Sequence, residues 1–230
     1  MASAAALVGR IPHAVVIWLL ASVLQQAVAM DKTIVILGAS YAQSWGSPAL
    51  PGYARVVNRG VGGDETAGML ARFPADVVAL RPAAVLIWGH VNNITRSPPA
   101  RLAEIKAATR GHYEEMLRQA RTAGIEVILA TEIPWTESGD FLDRLRGLIG
   151  RLRGKASYAV RVSREVRELN DFLRQLAARE HLRLLDFERG LARDDGTRRA
   201  EYAAADGSHI SAAGYRALTD IATRELARRR

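Results

Sequence analysis

A three-layer α/β/α domain with a five-stranded, mainly parallel sheet is predicted by three features of this 230-residue sequence. Short, continuous apolar runs read as strands buried on both faces. Helical stripes separate those runs. The residues with chemical character fall just after them. Alternating βα units build a parallel sheet with helices on both faces, and such a sheet binds ligands beyond the carboxyl ends of its strands.

The first 29 residues stand apart from this pattern. Arg10 and His13 precede an apolar stretch from Ala14 to Leu24, and Ala27-Val28-Ala29 places small residues where a signal peptidase cuts. The expected mature chain, residues 30–230, forms one domain, exported to the periplasm or secreted. A retained membrane anchor is the alternative, although the apolar run is short for a spanning helix.

Thr33 to Leu37, ending at Gly38, is the first strand; Arg55 to Asn58 is a second, Ala83 to Trp88 a third, Glu126 to Ala130 a fourth, and Leu182 to Phe187 a more polar fifth. Between them lie the helices. Leu70 to Leu80 is a candidate interrupted by Pro74, the alternative being a helix that starts with Pro74 in its first turn. Arg101 to Ala123 carries a stripe through Leu102, Ile105, Tyr113, Met116 and Leu117, and Gly124 stops it. Phe141 to Arg153 reads as a basic amphipathic helix, either packed on the sheet, capping the cleft or facing an anionic surface. Val162 to Glu180 repeats the apolar stripe, and Ser211 caps a last helix running through Leu226.

Composition narrows the function. With 49% apolar residues the chain can bury one good core. It contains no cysteine, which excludes a thiol nucleophile and thiolate metal ligands and is compatible with an oxidising compartment. Of the net charge of +8, residues 1–139 supply +2 and residues 140–230 supply +6. Such a basic part attracts anionic surfaces. Its ordinary reading is solvated arginine; no nucleic-acid motif accompanies it, so among functional readings the partner is an anionic envelope component, beside a small-molecule or glycan ester as substrate. No stable membrane span is expected after leader removal.

The residues with chemical character are Ser40 after strand one, Gly62-Gly63-Asp64 after strand two, Asn92-Asn93 after strand three and Asp206-Gly207-Ser208-His209 after strand five. A hydroxyl becomes a nucleophile when a base takes its proton and a carboxylate orients that base. Each residue also has an ordinary reading. Ser40 suits a helix cap, Asp206-Gly207 a turn, Gly62-Gly63 a tight turn or anion nest, and the asparagines loop or cap positions. His90 either lines the pocket or stands behind it or in solvent, and Trp135 either faces the cleft or packs. His112 and His181 are expected at the surface.

The blocks Gly38-Ala39-Ser40-Tyr41, Asn58-Arg59-Gly60-Val61-Gly62-Gly63-Asp64, Gly89-His90-Val91-Asn92-Asn93 and Asp206-Gly207-Ser208-His209 resemble, in order and spacing, those of the SGNH, or GDSL-type, hydrolases. The resemblance spans about Lys32 to Tyr215. It implies a flavodoxin-like sheet, Ser40 as nucleophile, His209 as general base and Asp206 as the acid that orients it. It further implies an oxyanion hole of Ser40 N–H, Gly63 N–H and the side-chain amide of Asn92, with Asn93 the alternative, and no cofactor or metal. Two blocks depart from the pattern: Ala39 replaces the usual Asp before the serine, and in the third block, usually Gly-X-Asn-Asp, Gly89 stands three residues before Asn92 and Asn93 replaces the Asp. Around Ser40 there is no Gly-X-Ser-X-Gly elbow, which separates the chain from ordinary α/β-hydrolases.

The expected activity is hydrolysis of a carboxylic ester, the substrate being an O-acetylated carbohydrate or a short-chain acyl ester. The alternatives are a lipid or acyl-thioester hydrolase, transfer of the acyl group to another hydroxyl, and an envelope module that binds glycan or lipid without turnover.

Overall fold

The computed structural model describes residues 32–136, 157–193 and 196–228. The expected leader at 1–29 and the basic helix at 141–153 lie outside the described residues. Five strands form one sheet: β1 (Thr33–Gly38), β2 (Arg55–Gly60), β3 (Ala84–Trp88), β4 (Glu126–Ala130) and β5 (Arg183–Leu185). Their spatial order is β2-β1-β3-β4-β5 and every neighbouring pair is parallel. This is the doubly wound order whose ligand crevice lies at the carboxyl ends of β1 and β3.

Because side chains alternate along a strand, each central strand feeds two cores. Ile34, Ile36, Leu86 and Ile128 face one layer, and Val35, Leu37, Val85, Ile87, Val127 and Leu129 face the other. Over the first face lie α1 (Ser40–Trp45), α6 (Phe187–Leu191) and α7 (Ala212–Ala227). Over the second lie α2 (Thr66–Asp76) and α4 (Leu102–Thr122). The long α5 (Tyr158–Arg179) contributes Val166 and Leu169 to the first core and Leu173 and Leu176 to the second. Beneath the crevice, Trp88 packs against Tyr41, Trp45 and Phe187 at ring-centroid distances of 5.8, 5.8 and 5.1 Å. No helix among the described residues is long and apolar enough to cross a membrane.

All five strands lie where the apolar runs place them, the last shortened because Phe187 starts α6 instead of ending β5. Three helices of five or six residues, α1, α3 (Val91–Thr95) and α6, are too short to leave a periodic signature. The helix expected over Leu70 to Leu80 begins instead at Thr66 and carries Pro74 inside it; a separate 3₁₀ turn follows at Val78–Leu80. Its start has no local cap: the side chain of Asn93, 27 residues later, accepts the Thr66 N–H at 3.2 Å. A cap supplied by another part of the fold leaves no trace in the local sequence.

Two arrangements bring β2 and α1 together. Asn58 Nδ2 donates to the carbonyls of Ala42, at 2.6 Å, and Gly46, and its Oδ1 accepts from Gly60 N at 2.7 Å. At Gly60 a Cβ would fall 2.1 Å from Gln43 N, so the chain passes α1 at a distance only glycine permits.

Candidate active site

Ser40 is the first residue of α1, directly beyond β1, and is half-buried. Residue 39, an alanine, occupies the N-cap position, and no side chain caps this helix. Ser40 therefore does not serve as a helix cap, and among the described residues its hydroxyl has no hydrogen-bond partner.

The loop before α7 carries the carboxylate and the imidazole. Asp206 Oδ1 accepts the backbone N–H groups of Ser208 at 2.9 Å and His209 at 2.8 Å, while Oδ2 lies 2.5 Å from His209 Nδ1. Spacing of three residues permits this because Gly207, at φ +71°, turns the chain back on itself. Partial burial pushes the Asp206 carboxyl up, but the His209 ring and the two backbone donors outweigh it and hold it at about 2. The carboxylate is thus charged at neutral pH and fixed in place, the condition for holding an imidazole in one tautomer. Ser208 Oγ lies 3.3 Å from the same Nδ1.

This loop is docked on the residue next to Ser40. The Tyr41 hydroxyl donates to Ser208 O at 2.5 Å, and the Tyr41 ring meets the His209 ring edge-on at 6.4 Å. Tyr215 of α7 donates to Tyr41 O at 3.2 Å, and Trp45 donates to Thr219 at 3.0 Å, binding α7 to α1. Trp135, expected either in the cleft or packed, spends its indole N–H on the Tyr41 hydroxyl at 3.1 Å.

Gly63 is half-exposed and adopts φ +77°, which favours glycine. The guanidinium of Arg96 rests against it, Nη2 lying 2.5 Å from where a Cβ would stand. The two asparagines of the third block have different surroundings. Asn92 is partly exposed, and its Nδ2 donates to Asp64 O at 2.8 Å, beside Gly63, leaving a second N–H on the same nitrogen. Asn93 is buried, with Oδ1 accepting from Thr66 N and Nδ2 donating to Thr66 Oγ1 at 3.0 Å.

His90 neither lines the crevice nor reaches solvent. It is 1% exposed, lies 3.3 Å from the Tyr113 hydroxyl, and burial lowers its pKa to about 3, so it is neutral. His112 is half-buried against Thr66 Oγ1 at 2.9 Å, whereas His181 is exposed as expected.

Three residues that support the site carry no motif. Arg72 donates to Asp64 Oδ2 at 2.8 Å, to Arg59 O at 2.7 Å and to Gly38 O at 2.9 Å, joining the ends of β1 and β2 to the loop after β2. Arg198 is fully buried and donates to carbonyls of the Asp206–His209 loop. Glu132, also buried, accepts the His90 N–H at 2.9 Å, at the start of the short helix that carries Asn92. A charged group buried in a motif-free stretch gives no signal until its partners are known.

Burial raises the Glu132 carboxyl from its ordinary 4.5 to about 7, against the pull of the backbone donors and of Arg198. A raised carboxyl binds its proton more tightly in the folded chain. Its contribution is full below pH 4.5, falls as pH climbs and is lost above about pH 7. Glu132→Gln keeps an acceptor without the charge. It should gain on the parent by on the order of 3 kcal/mol across that interval, seen as a melting-temperature difference that widens from pH 4.5 to 7.5. A pH-independent difference would contradict this.

Comparisons with known proteins agree with the fold. A family model described as the GDSL-like Lipase/Acylhydrolase family matches residues 31–217. No curated protein matches the chain. Among solved structures, a GDSL-like lipase from Bacteroides thetaiotaomicron superposes with a TM-score of 0.63 at 19% identity, covering 91% of this chain and 96% of its own. A lipase/acylhydrolase from Enterococcus faecalis gives 0.61 at 22% identity, with 85% and 95% covered. An acetyl xylan esterase gives 0.59 at 15% identity, with 82% and 96% covered. At these identities the likeness is one of fold.

Proposed function

The chain belongs to the GDSL-like lipase/acylhydrolase family, and from that premise we propose that it is a serine esterase working through Ser40, His209 and Asp206. The observation that carries this reading is the Asp206–His209 contact of 2.5 Å, on a loop docked against the residue that follows Ser40. Asp206 holds the imidazole with Nδ1 towards the carboxylate, which frees Nε2 as the base. Ser40 Oγ attacks the ester carbonyl as His209 takes its proton. The tetrahedral oxyanion is met by Ser40 N–H, Gly63 N–H and the second Nδ2 hydrogen of Asn92. His209 then protonates the departing alkoxide, and water, activated by the same base, releases the acid and restores Ser40. Donors aimed at the oxyanion supply much of the rate in such acyl transfers. Asn93, whose amide is spent on Thr66, is less suited to that role.

The substrate we favour is a short acyl ester on a carbohydrate. Arg96, Asn92 and the Asp64 carbonyl make a polar wall beside Gly63. Next to it Tyr158, exposed, donates to Thr95 O at 3.4 Å and packs edge-on against Trp135 at 6.0 Å, offering a ring for a sugar face. That one structurally similar protein is an acetyl xylan esterase fits this choice. We further propose that residues 1–29 direct export, which suits a substrate in the envelope or outside it.

Hydrolysis of p-nitrophenyl acetate, butyrate and octanoate, together with acetate release from acetylated xylan, tests the substrate class. Activity is expected to be highest on acetyl and to fall with chain length. A rise towards octanoate would favour a lipid or thioester hydrolase, and a folded chain with no turnover would favour an envelope binding module.

A further inference from the structure

Arg198 is 0% exposed, and no carboxylate lies within ion-pairing distance of it among the described residues. Its Nε donates to Pro134 O at 2.9 Å, Nη1 to His209 O at 2.5 Å, and Nη2 to Ser208 O at 2.6 Å. Nη2 also lies 3.5 Å from the Tyr41 hydroxyl, and the guanidinium carbon is 5.9 Å from the Tyr41 ring centroid. Tyr41 in turn donates to Ser208 O, the carbonyl that Arg198 also holds. One planar fork thus ties three segments together: the exit of β4, the loop bearing Asp206 and His209, and the residue after Ser40.

Burying a cation costs free energy, and an apolar side chain of similar size would fill this space more cheaply. What the guanidinium adds is direction, because its donors lie in one rigid plane and fix the carbonyls they meet. We propose that Arg198, acting with the Tyr41 hydroxyl, is a positioning residue that holds the imidazole of His209 in register with Ser40. The proposal rests on the reading of Ser40 and His209 as nucleophile and base. The His209 side chain is 56% exposed. The pinned carbonyls of Ser208 and His209 therefore limit how far the ring can wander, and a misplacement of about 1 Å is enough to cost roughly 10²-fold in rate.

The test is steady-state kinetics on p-nitrophenyl acetate for Arg198→Met, Arg198→Lys, Tyr41→Phe and the double variant Tyr41→Phe/Arg198→Met, with Ser40→Ala alongside and folding followed by circular dichroism. Arg198→Met is expected to lower kcat roughly 10²-fold while KM changes little. Arg198→Lys should recover part of that loss, because one ammonium reaches some of the carbonyls but cannot span all of them. Tyr41→Phe should lower kcat roughly tenfold by itself and add little in the Arg198→Met background, since both act through one network. A folded Arg198→Met chain with the parent's kcat overturns the proposal, as does a lysine variant no better than methionine combined with additive effects of the two sites. If Arg198→Met fails to fold, Tyr41→Phe decides: it removes one oxygen, and parental kcat in that variant overturns the proposal. An active Ser40→Ala chain overturns the underlying assignment and this proposal with it, whereas an inactive Ser40→Ala beside a fully active Arg198→Met overturns this proposal alone.

Discussion

Ser40→Ala is expected to lower ester turnover by roughly 10⁴-fold or more and to leave the melting temperature of the protein unchanged. The two halves of that result have separate physical origins. The rate falls because no other group can form the acyl intermediate, and the remaining oxyanion donors and binding contacts supply only residual catalysis. Stability is preserved because the hydroxyl caps no helix and bonds to nothing among the described residues. His209→Ala should reach a similar floor, and combining the two should cost little more than either, since they act as one unit. Asp206→Ala should add a stability loss, because Oδ1 also holds the Ser208 and His209 amides. Initial rates on p-nitrophenyl acetate with parallel thermal melts check all of these. A Ser40→Ala chain retaining more than a few per cent of parental activity would remove Ser40 from the reaction.

The second large effect is a contrast between neighbours. Asn92→Ala is expected to reduce kcat by roughly 10²- to 10³-fold with the melting temperature held. Asn93→Ala should lower the melting temperature and reduce kcat far less. Asn93 is buried and satisfies both the Thr66 amide and the Thr66 hydroxyl, so its loss leaves buried polar groups unpaired. Such a group costs about 1–3 kcal/mol, which for a domain of this size is about 2–4 °C for each kcal/mol. Among the described residues the Asn92 side chain makes one hydrogen bond, to the Asp64 carbonyl, at the edge of the crevice. The opposite pattern, with Asn93→Ala inactive at full stability, would transfer the oxyanion role to Asn93.

These two asparagines also show where reading the chain alone stops. The apolar runs at Thr33–Leu37, Ala83–Trp88 and Glu126–Ala130 announced the sheet, because a strand covered on both faces must be apolar throughout, and that constraint is written into adjacent residues. The carboxylate and imidazole of Asp206 and His209 were legible together because they are three residues apart on one turn. Asn92 and Asn93 are chemically identical, and nothing in their order says which is buried. That depends on Thr66, 27 residues earlier, whose amide needs a cap that its own segment does not supply.

By itself the sequence determined the fold class, the places of the strands and the convergence of four blocks at one sheet edge, because periodicity and turn chemistry are local. Only the tertiary structure decided which asparagine faces the crevice, that His90 is buried and neutral, and that Arg72, Glu132 and Arg198 support the site. A buried charge is tolerated only through its partners. Those of Arg198 are carbonyls at positions 134, 208 and 209 and a hydroxyl at 41, and backbone carbonyls are the same at every position until the fold brings them together.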